Sequence, residues 1–435
     1  MKAILEKHNI SNEWSSLPVS NVFIFVKSYA FSRDSLINDT SNNEGIGNIH
    51  YGDIHAKFST PSIDLRDISV PMIRSSNFTP DPEDYLKDGD LIMADASEDY
   101  EGVGVTVSVH GIGNKKIVGG LHTFVLRDDK KKTDDYYRQY IFRNPKVRNS
   151  LQKIANGVSV YGISKSAVSK LLLPIPPLVE QSRIVAVLET WDKAIEELTK
   201  KIEIKKEIKK GLMQELLTGK KRLQGFSEKW QNRTLSDLGN FSKGTGILKD
   251  QVSEKGFNAV RYGELYTVYS YQINKVFSHI PASITTEARE IKYGDILFAG
   301  SGETNDEIGK SAAYLLHEKC YAGGDIIVFS PNGCDSLFLS YFLNVGESRK
   351  LLRELGQGQS VVHLYKSDLE TMELRIPSYT EQKAIATVLY TAETEISIFE
   401  RKLSYFKDQK KYLLNNLITG TIRTPEKMKI TKLPC

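Results

Sequence analysis

Glycines before a lysine-serine pair, eight histidines and acidic residues beside lysines are the residue types here that could do chemistry, and each group fails on spacing. Gly302-Glu303 through Gly309-Lys310-Ser311 ends as a phosphate-binding loop ends, but seven steps separate the two glycines, too many for backbone N–H groups to converge on a phosphate in the usual way. Asn240-Phe241-Ser242-Lys243-Gly244-Thr245-Gly246 approaches a methyl-donor loop without its tight glycine spacing, and no Asn-Pro-Pro-aromatic tetrad accompanies it. Pro80-Asp81 with Asp128-Asp129-Lys130 could be forced into a nuclease pattern, yet the second half of the chain has no counterpart. His8, His50, His55, His110, His122, His279, His317 and His363 show no metal-ligand spacing. The expectation is a chain that binds and does not catalyse, with no catalytic and no metal residues.

Composition narrows the kind of binding. Three cysteines, Cys320, Cys334 and Cys435, are too few and too irregular for a disulfide framework or a zinc site, which fits a reducing cytosol and makes a cytoplasmic protein the expectation. No stretch approaches the roughly 20 apolar residues that span a bilayer. A net charge of +4 with 26% charged residues is mild for a nucleic-acid binder, so any positive surface must be local or be supplemented by a partner. Twenty-one tyrosines and 31 glycines suit loops that carry flat polar side chains.

The elements that must position such loops occur twice. Ile175-Pro176-Pro177-Leu178-Val179-Glu180-Gln181 returns as Ile376-Pro377-Ser378-Tyr379-Thr380-Glu381-Gln382, 201 positions later, and the same offset pairs Lys209-Lys210 with Lys410-Lys411, Thr218-Gly219 with Thr419-Gly420, and Arg222 with Arg423. Upstream the offset drifts: Gly89-Asp90 matches Gly294-Asp295 at 205, Tyr51-Gly52 matches Tyr262-Gly263 at 211, and Trp14 matches Trp230 at 216. A period this long is a duplicated domain with an appendage, far beyond any solenoid repeat.

The appendage is a helix. Leu188, Trp191, Ile195, Leu198, Ile202, Leu212 and Leu216 step as a heptad seam interrupted by Lys205 and Lys209, and Leu389, Ala392, Ile396, Phe399, Leu403, Phe406, Leu413 and Leu417 repeat it. Each run follows a proline-bearing segment and stops at Thr-Gly, where glycine can turn left-handed. A lone amphipathic helix of about 60 Å has nothing to bury its stripe against. Its own copy is the nearest partner, and an antiparallel pair would put one domain at either end of a rod. The alternative is that each helix packs back on its own domain. Lysines from Lys200 to Lys221 are interleaved with Glu203, Glu207 and Glu215, which fits a solvated face better than a DNA track. The remainder is mixed α/β, with strands expected at Val103 to Val109, Val22 to Val26, Thr123 to Leu126 and Ile326 to Phe329.

The doubled IPxxxEQ followed by a long helix ending LLTG or LITG resembles the two conserved helical regions of specificity subunits of type I restriction-modification systems. GDLIMADASED with GGLHTF, and GDILFAGSGETNDEIGK, resemble the target recognition domains that precede them. The resemblance implies tandem mixed α+β recognition domains joined by two antiparallel coiled-coil helices: recognition domain 1 over 1–175, helical spacer 1 over 176–222, recognition domain 2 over 223–376, helical spacer 2 over 377–424, and a polar tail over 425–435. It implies a non-catalytic DNA-binding subunit, each domain reading half of an asymmetric bipartite target in double-stranded DNA and the helices setting the gap. Two methyltransferase subunits and restriction/translocase subunits are the implied partners. S-adenosylmethionine and ATP with Mg belong to those partners, leaving no cofactor in this chain.

The resemblance implies loops laid against the duplex, with phosphate contacts fixing position and base-edge contacts supplying specificity, which makes polar and basic residues the candidates for touching DNA. In the first half these are Lys57, Arg66, Arg74, Lys115, Lys116, Ser159 and Tyr161; in the second, Lys243, Arg261, Tyr262, Lys310, Gln357, Gln359, Ser360 and His363. Asn156-Gly157-Val158-Ser159 and Gln357-Gly358-Gln359-Ser360 align as glycine loops, though each residue equally suits an ordinary turn. The competing reading of the whole chain is a coiled-coil scaffold that bridges protein partners without reading DNA.

Overall fold

Four consecutive apolar residues without polar alternation signal a strand buried on both faces, and Leu91–Ala94 and Ile296–Ala299 are the central strands of two such sheets. The computed structural model describes residues 14–37, 45–58, 60–74, 77–358 and 361–428, which divide into two compact units, Met1–Glu197 with Leu403–Cys435, and Leu198–Lys402.

In the first unit the five-stranded sheet runs Ile24–Val26, Thr123–Arg127, Leu91–Ala94, Thr106–His110, Ser62–Asp64. Leu91 and Met93 face one core with Tyr137, Phe142, Val147 and Leu151, while Ile92 and Ala94 face another with Ile49, Ile63 and Ile117. The second unit repeats the order with Gly239–Lys243, Ile326–Pro331, Ile296–Ala299, Ser311–Tyr314 and Gln272–Ile273, and splits Ile296 and Phe298 from Leu297 and Ala299 in the same way. Each unit also has a four-stranded sheet built on one parallel pair, Ile46–Ile49 with Lys116–Gly119 and Phe257–Val260 with Cys320–Ala322. The strands flanking that pair differ, so divergence is concentrated at the sheet edges.

Two expected strands are shorter than their sequence suggests. Gly104, at φ +72°, turns the chain inside the Val103 to Val109 alternation, and the strand begins at Thr106. Val22 closes a short helix, Val19–Val22, and the strand that follows is Ile24–Val26.

The long helices span Leu178–Leu216 and Tyr379–Ile418 and stop before Gly219 and Gly420, left-handed at φ +68° and +70°. They pair antiparallel. In the first unit the Trp191 ring meets Phe406 edge-on at 5.3 Å, Lys410 binds Asp192, and Ile184, Val185 and Leu188 share a core with Leu413, Leu417 and Ile418. In the second, Lys209 pairs with Glu393 at 3.3 Å, Lys205 with Glu395 at 2.8 Å and Lys206 with Glu400 at 2.7 Å, while Met213, Leu216 and Leu217 pack with Ile385, Ala386 and Leu389. Lys209–Glu393 and Lys410–Asp192 are one ion pair repeated at offset 201. Lys205 and Lys209, which interrupt the apolar seam, face the other helix as that spacing predicts, while Lys206 reaches across from the solvated face and the exposed Lys201 lies over the Phe399 ring at 4.4 Å. Partly solvated pairs of this kind each contribute roughly 0.5 kcal/mol, so they favour a register more than they add stability.

Of the seam positions, Leu188, Leu198, Ile202, Leu216, Leu389, Ile396, Leu413 and Leu417 are buried, and Trp191, Ile195, Leu212, Ala392, Phe399, Leu403 and Phe406 are half-buried. The helix ends also pack into the cores of the sheet-bearing units, so the two packing alternatives hold together: Leu188 and Leu417 share a core with Phe23 and Leu173, Leu216 and Leu389 with Phe338 and Leu374. Leu198→Asp removes a buried side chain and buries an unpaired carboxylate, and should lower unfolding free energy by about 3 kcal/mol or more. Urea titration measures it; a loss below about 1 kcal/mol contradicts a buried seam.

The repeated Glu-Gln pair explains how each helix is anchored. Glu180 accepts from Trp14 Nε1 at 3.1 Å and from the Arg423 guanidinium; Glu381 accepts from Arg222 Nε and Nη2 at 2.5 Å each. Gln181 accepts from the Asp134 N–H at 2.7 Å and donates to the Pro176 carbonyl at 2.7 Å, and Gln382 does the same with Asp335 and Pro377 at 2.9 Å each. Gly420 and Gly219 hold left-handed backbone, which favours glycine, and lie against tryptophan rings, where an added Cβ would stand 3.4 Å from Trp14 and 3.2 Å from Trp230.

Candidate nucleic-acid interface

Both aligned glycine loops fold into the same small hairpin. Asn156 and Gly162 exchange backbone hydrogen bonds of 2.9 and 2.8 Å, as do Gln357 and His363. At the bend Gly157 and Gly358 hold φ of +139° and +129°, and an added Cβ would lie 1.9 and 2.1 Å from the carbonyls of Val160 and Val361. No other residue fits there. The first tip is presented to solvent: Val158 is 92% exposed, and Ser159 and Val160 are exposed beside it. Val361 is exposed at the second tip, whose Gln359 and Ser360 lie outside the described residues.

The hairpin is stitched to the strand end of the main sheet. Tyr161–Gly162 pairs with Ala96–Ser97, and Val362–His363 with Ser301–Gly302. Asp95 donates its N–H to the His122 carbonyl at 3.1 Å and accepts from the Ile163 N–H at 2.9 Å; Gly300 makes the same two bonds with Asp325 and Leu364 at 2.7 and 2.9 Å. Tyr161 meets Tyr100 edge-on at 5.4 Å, and His363 Nδ1 lies 2.9 Å from Ser301 Oγ.

Arginine holds the adjoining loop in both units. Arg148 donates to the carbonyls of Glu101 and Val103 at 2.6 and 2.9 Å, and Arg349 donates to those of Asp306 and Ile308 at 2.7 Å each. Burial pushes both guanidiniums down, Arg349 to about 10, which leaves it a cation at neutral pH. Arg349→Ala strands the Ile308 carbonyl and should destabilise this loop by about 2 kcal/mol. Amide hydrogen exchange should quicken over 303–309 and stay unchanged over 296–299; equal protection in both proteins rules out the clasp.

The candidates taken from sequence fall into separate groups. Ser159, Tyr161, Gln357 and His363 lie on the hairpins. Arg66, Lys115 and Lys116 line a cleft of about 420 Å³ with Gly45, Gly47, Ser69 and Met72, on the four-stranded sheet of the first unit. Arg66 is already committed to Asp64, Lys57 reaches Asp53 at 4.0 Å and Arg261 reaches Glu264 at 3.5 Å, so part of the expected positive charge is internally balanced. Arg74 and Lys243 are exposed at strand ends, and Tyr262 is exposed beside Tyr266 at 6.3 Å between rings. Lys310 is half-buried, its amine pushed down by burial and by Arg349. Arg148 and Arg349 escaped the sequence reading; their match at offset 201, with Leu151 and Leu352 three residues on, is the signal that would have found them.

Among the described residues no helix is long and apolar enough to cross a membrane. The family model for the type I restriction modification DNA specificity domain matches residues 39–207 and again 227–405. The MjaVIII type I restriction enzyme specificity subunit of Methanocaldococcus jannaschii is 25% identical over 335 residues, covering 72% of this chain and 76% of its own. That of Escherichia coli EcoKI is 24% identical over 148 residues, 33% of this chain and 32% of its own. The fold is shared with the HsdS subunit from Thermoanaerobacter tengcongensis, with a TM-score of 0.52 at 16% identity over 95% of this chain and 98% of that one, and with the type I restriction-modification S subunit from M. genitalium, with a TM-score of 0.50 at 16% identity over 97% and 99%. Two matched domains, each built on the same doubled framework, place the chain in the type I restriction-modification specificity family as a specificity subunit with tandem DNA recognition domains.

Proposed function

We propose that each unit reads one half of an asymmetric bipartite sequence in double-stranded DNA, and that the paired helices set the gap and dock two methyltransferase subunits. The observation that carries this is the hairpin built twice on one backbone plan with different side chains, Asn156, Tyr161 and Gly162 in one and Gln357, Val362 and His363 in the other. A common frame with unlike contact residues suits two half-targets of unlike sequence. The candidates named above supply phosphate and base contacts, with Arg66, Lys57 and Arg261 exchanging their internal carboxylates for phosphates only at a cost. The chain carries no catalytic step of its own and works in the cytoplasm. S-adenosylmethionine, and ATP with Mg, serve the methyltransferase and the restriction/translocase subunits with which it assembles.

Mapping methylated adenines in cells that express the chain with its methyltransferase, against cells lacking only this chain, tests the proposal. A split motif that vanishes with the chain is the expected result. An unchanged methylation pattern in cells where the complex assembles would favour a protein scaffold, as would DNA affinity that does not fall with salt.

A further inference from the structure

Positions that share backbone geometry across the two units but differ in side chain are where one frame can read two different bases. His122 and Asp325 occupy such a position. Each directly precedes the strand paired with the central one, Thr123 opposite Ala94 and Ile326 opposite Ala299, and each carbonyl accepts from the residue that also bonds the hairpin. Both are left-handed, at φ +53° and +59°, and among the described residues they are two of only four non-glycine residues with positive φ. Left-handed backbone is strained for residues with a Cβ and free of strain for glycine. Glycine is close at hand in both segments, at Gly120 and at Gly323-Gly324, yet both units keep a polar side chain at this place. Histidine and aspartate are among the few side chains that tolerate this backbone, and a non-glycine outlier kept at a repeated position is a ground for proposing a function.

The side chains are exposed and differently equipped. His122 Nδ1 lies 3.1 Å from Asp95 Oδ1, and the tautomer that donates Nδ1–H to this carboxylate presents Nε2 as an acceptor, with no protein partner for it among the described residues. The Tyr51 ring stands edge-on to His122 at 5.4 Å. In the second unit Gly300 stands where Asp95 does, and the Asp325 carboxylate has no hydrogen-bond partner among the described residues.

We propose that His122 and Asp325 are base-reading residues, one in each half-site, each accepting a hydrogen bond from the exocyclic amino group of adenine or cytosine. This assignment rests on the bipartite DNA reading proposed above.

The test uses the full chain assembled with its methyltransferase subunits, comparing wild type, His122→Gly and Asp325→Gly by methylated-adenine mapping and by affinity for duplexes varied one base pair at a time. Glycine relieves the left-handed backbone, which for His122 offsets the lost contacts with Asp95 and Tyr51, so both variants should melt close to wild type. His122→Gly should relax one position of one half-site by about tenfold and leave the other half unchanged, and Asp325→Gly should do the converse. Wild-type motifs from both variants overturn the assignment while leaving bipartite reading intact. So does complete loss of methylation by a complex that melts like wild type. A wild-type chain that determines no split motif sinks the underlying reading, and this assignment with it.

Discussion

Glu180→Ala should destabilise the first unit by about 3 kcal/mol or more. The carboxylate is 2% exposed and holds the Arg423 guanidinium and the Trp14 indole, joining the start of one long helix to the chain's first described residue and to the segment after its last helix. Removing it takes a buried carboxylate from a poorly solvated cation and an acceptor from an indole N–H, which costs more than a solvated surface pair returns. Arg423→Ala should be of similar size, since it strands the buried carboxylate. The double variant should lose clearly less than the sum, because both substitutions remove one interaction. Glu381→Ala, opposite Arg222, should reproduce the effect in the second unit. Unfolding followed by hydrogen exchange assigns each loss to its unit; strict additivity of Glu180→Ala and Arg423→Ala would show that the latch is not a unit.

That latch marks the limit of what a sequence discloses. The doubled Glu180-Gln181 and Glu381-Gln382 stand out as letters, and the heptads at Leu188 to Leu216 and Leu389 to Leu417 as rhythm, because both are local. The partners of the glutamates lie 243 and 159 residues away, and only the fold brings Arg423 and Arg222 back to them. The same rhythm places Lys205 and Lys209 in the seam, but only the fold shows Glu395 and Glu393 opposite them. The glycine hairpins were legible because Gly157 and Gly358 answer a steric demand that no other residue meets. His122 and Asp325 were not, because histidine and aspartate tolerate left-handed backbone without requiring it. Charge alone does not disclose a basic residue's partner: Arg66 pairs with Asp64, two positions away.

Inserting seven residues in each long helix should lengthen the gap between half-sites without altering either half. The matched points are between Glu197 and Leu198 and between Lys402 and Leu403, where the two compact units divide, so packing inside each unit is left untouched. Seven residues return the apolar seam to the same face of the helix, and they add about 10 Å of rise. At about 3.4 Å per base pair, the gap can grow by at most about 3 base pairs. An insertion in one helix alone shifts every later seam residue against its partner, separating pairs such as Lys209 with Glu393 from pairs such as Trp191 with Phe406, and should abolish target methylation. Methylated-adenine mapping reads all of these outcomes at once. A doubly inserted chain that still methylates the original gap would mean that something other than the helices sets the distance, most directly the methyltransferase subunits assembled around them.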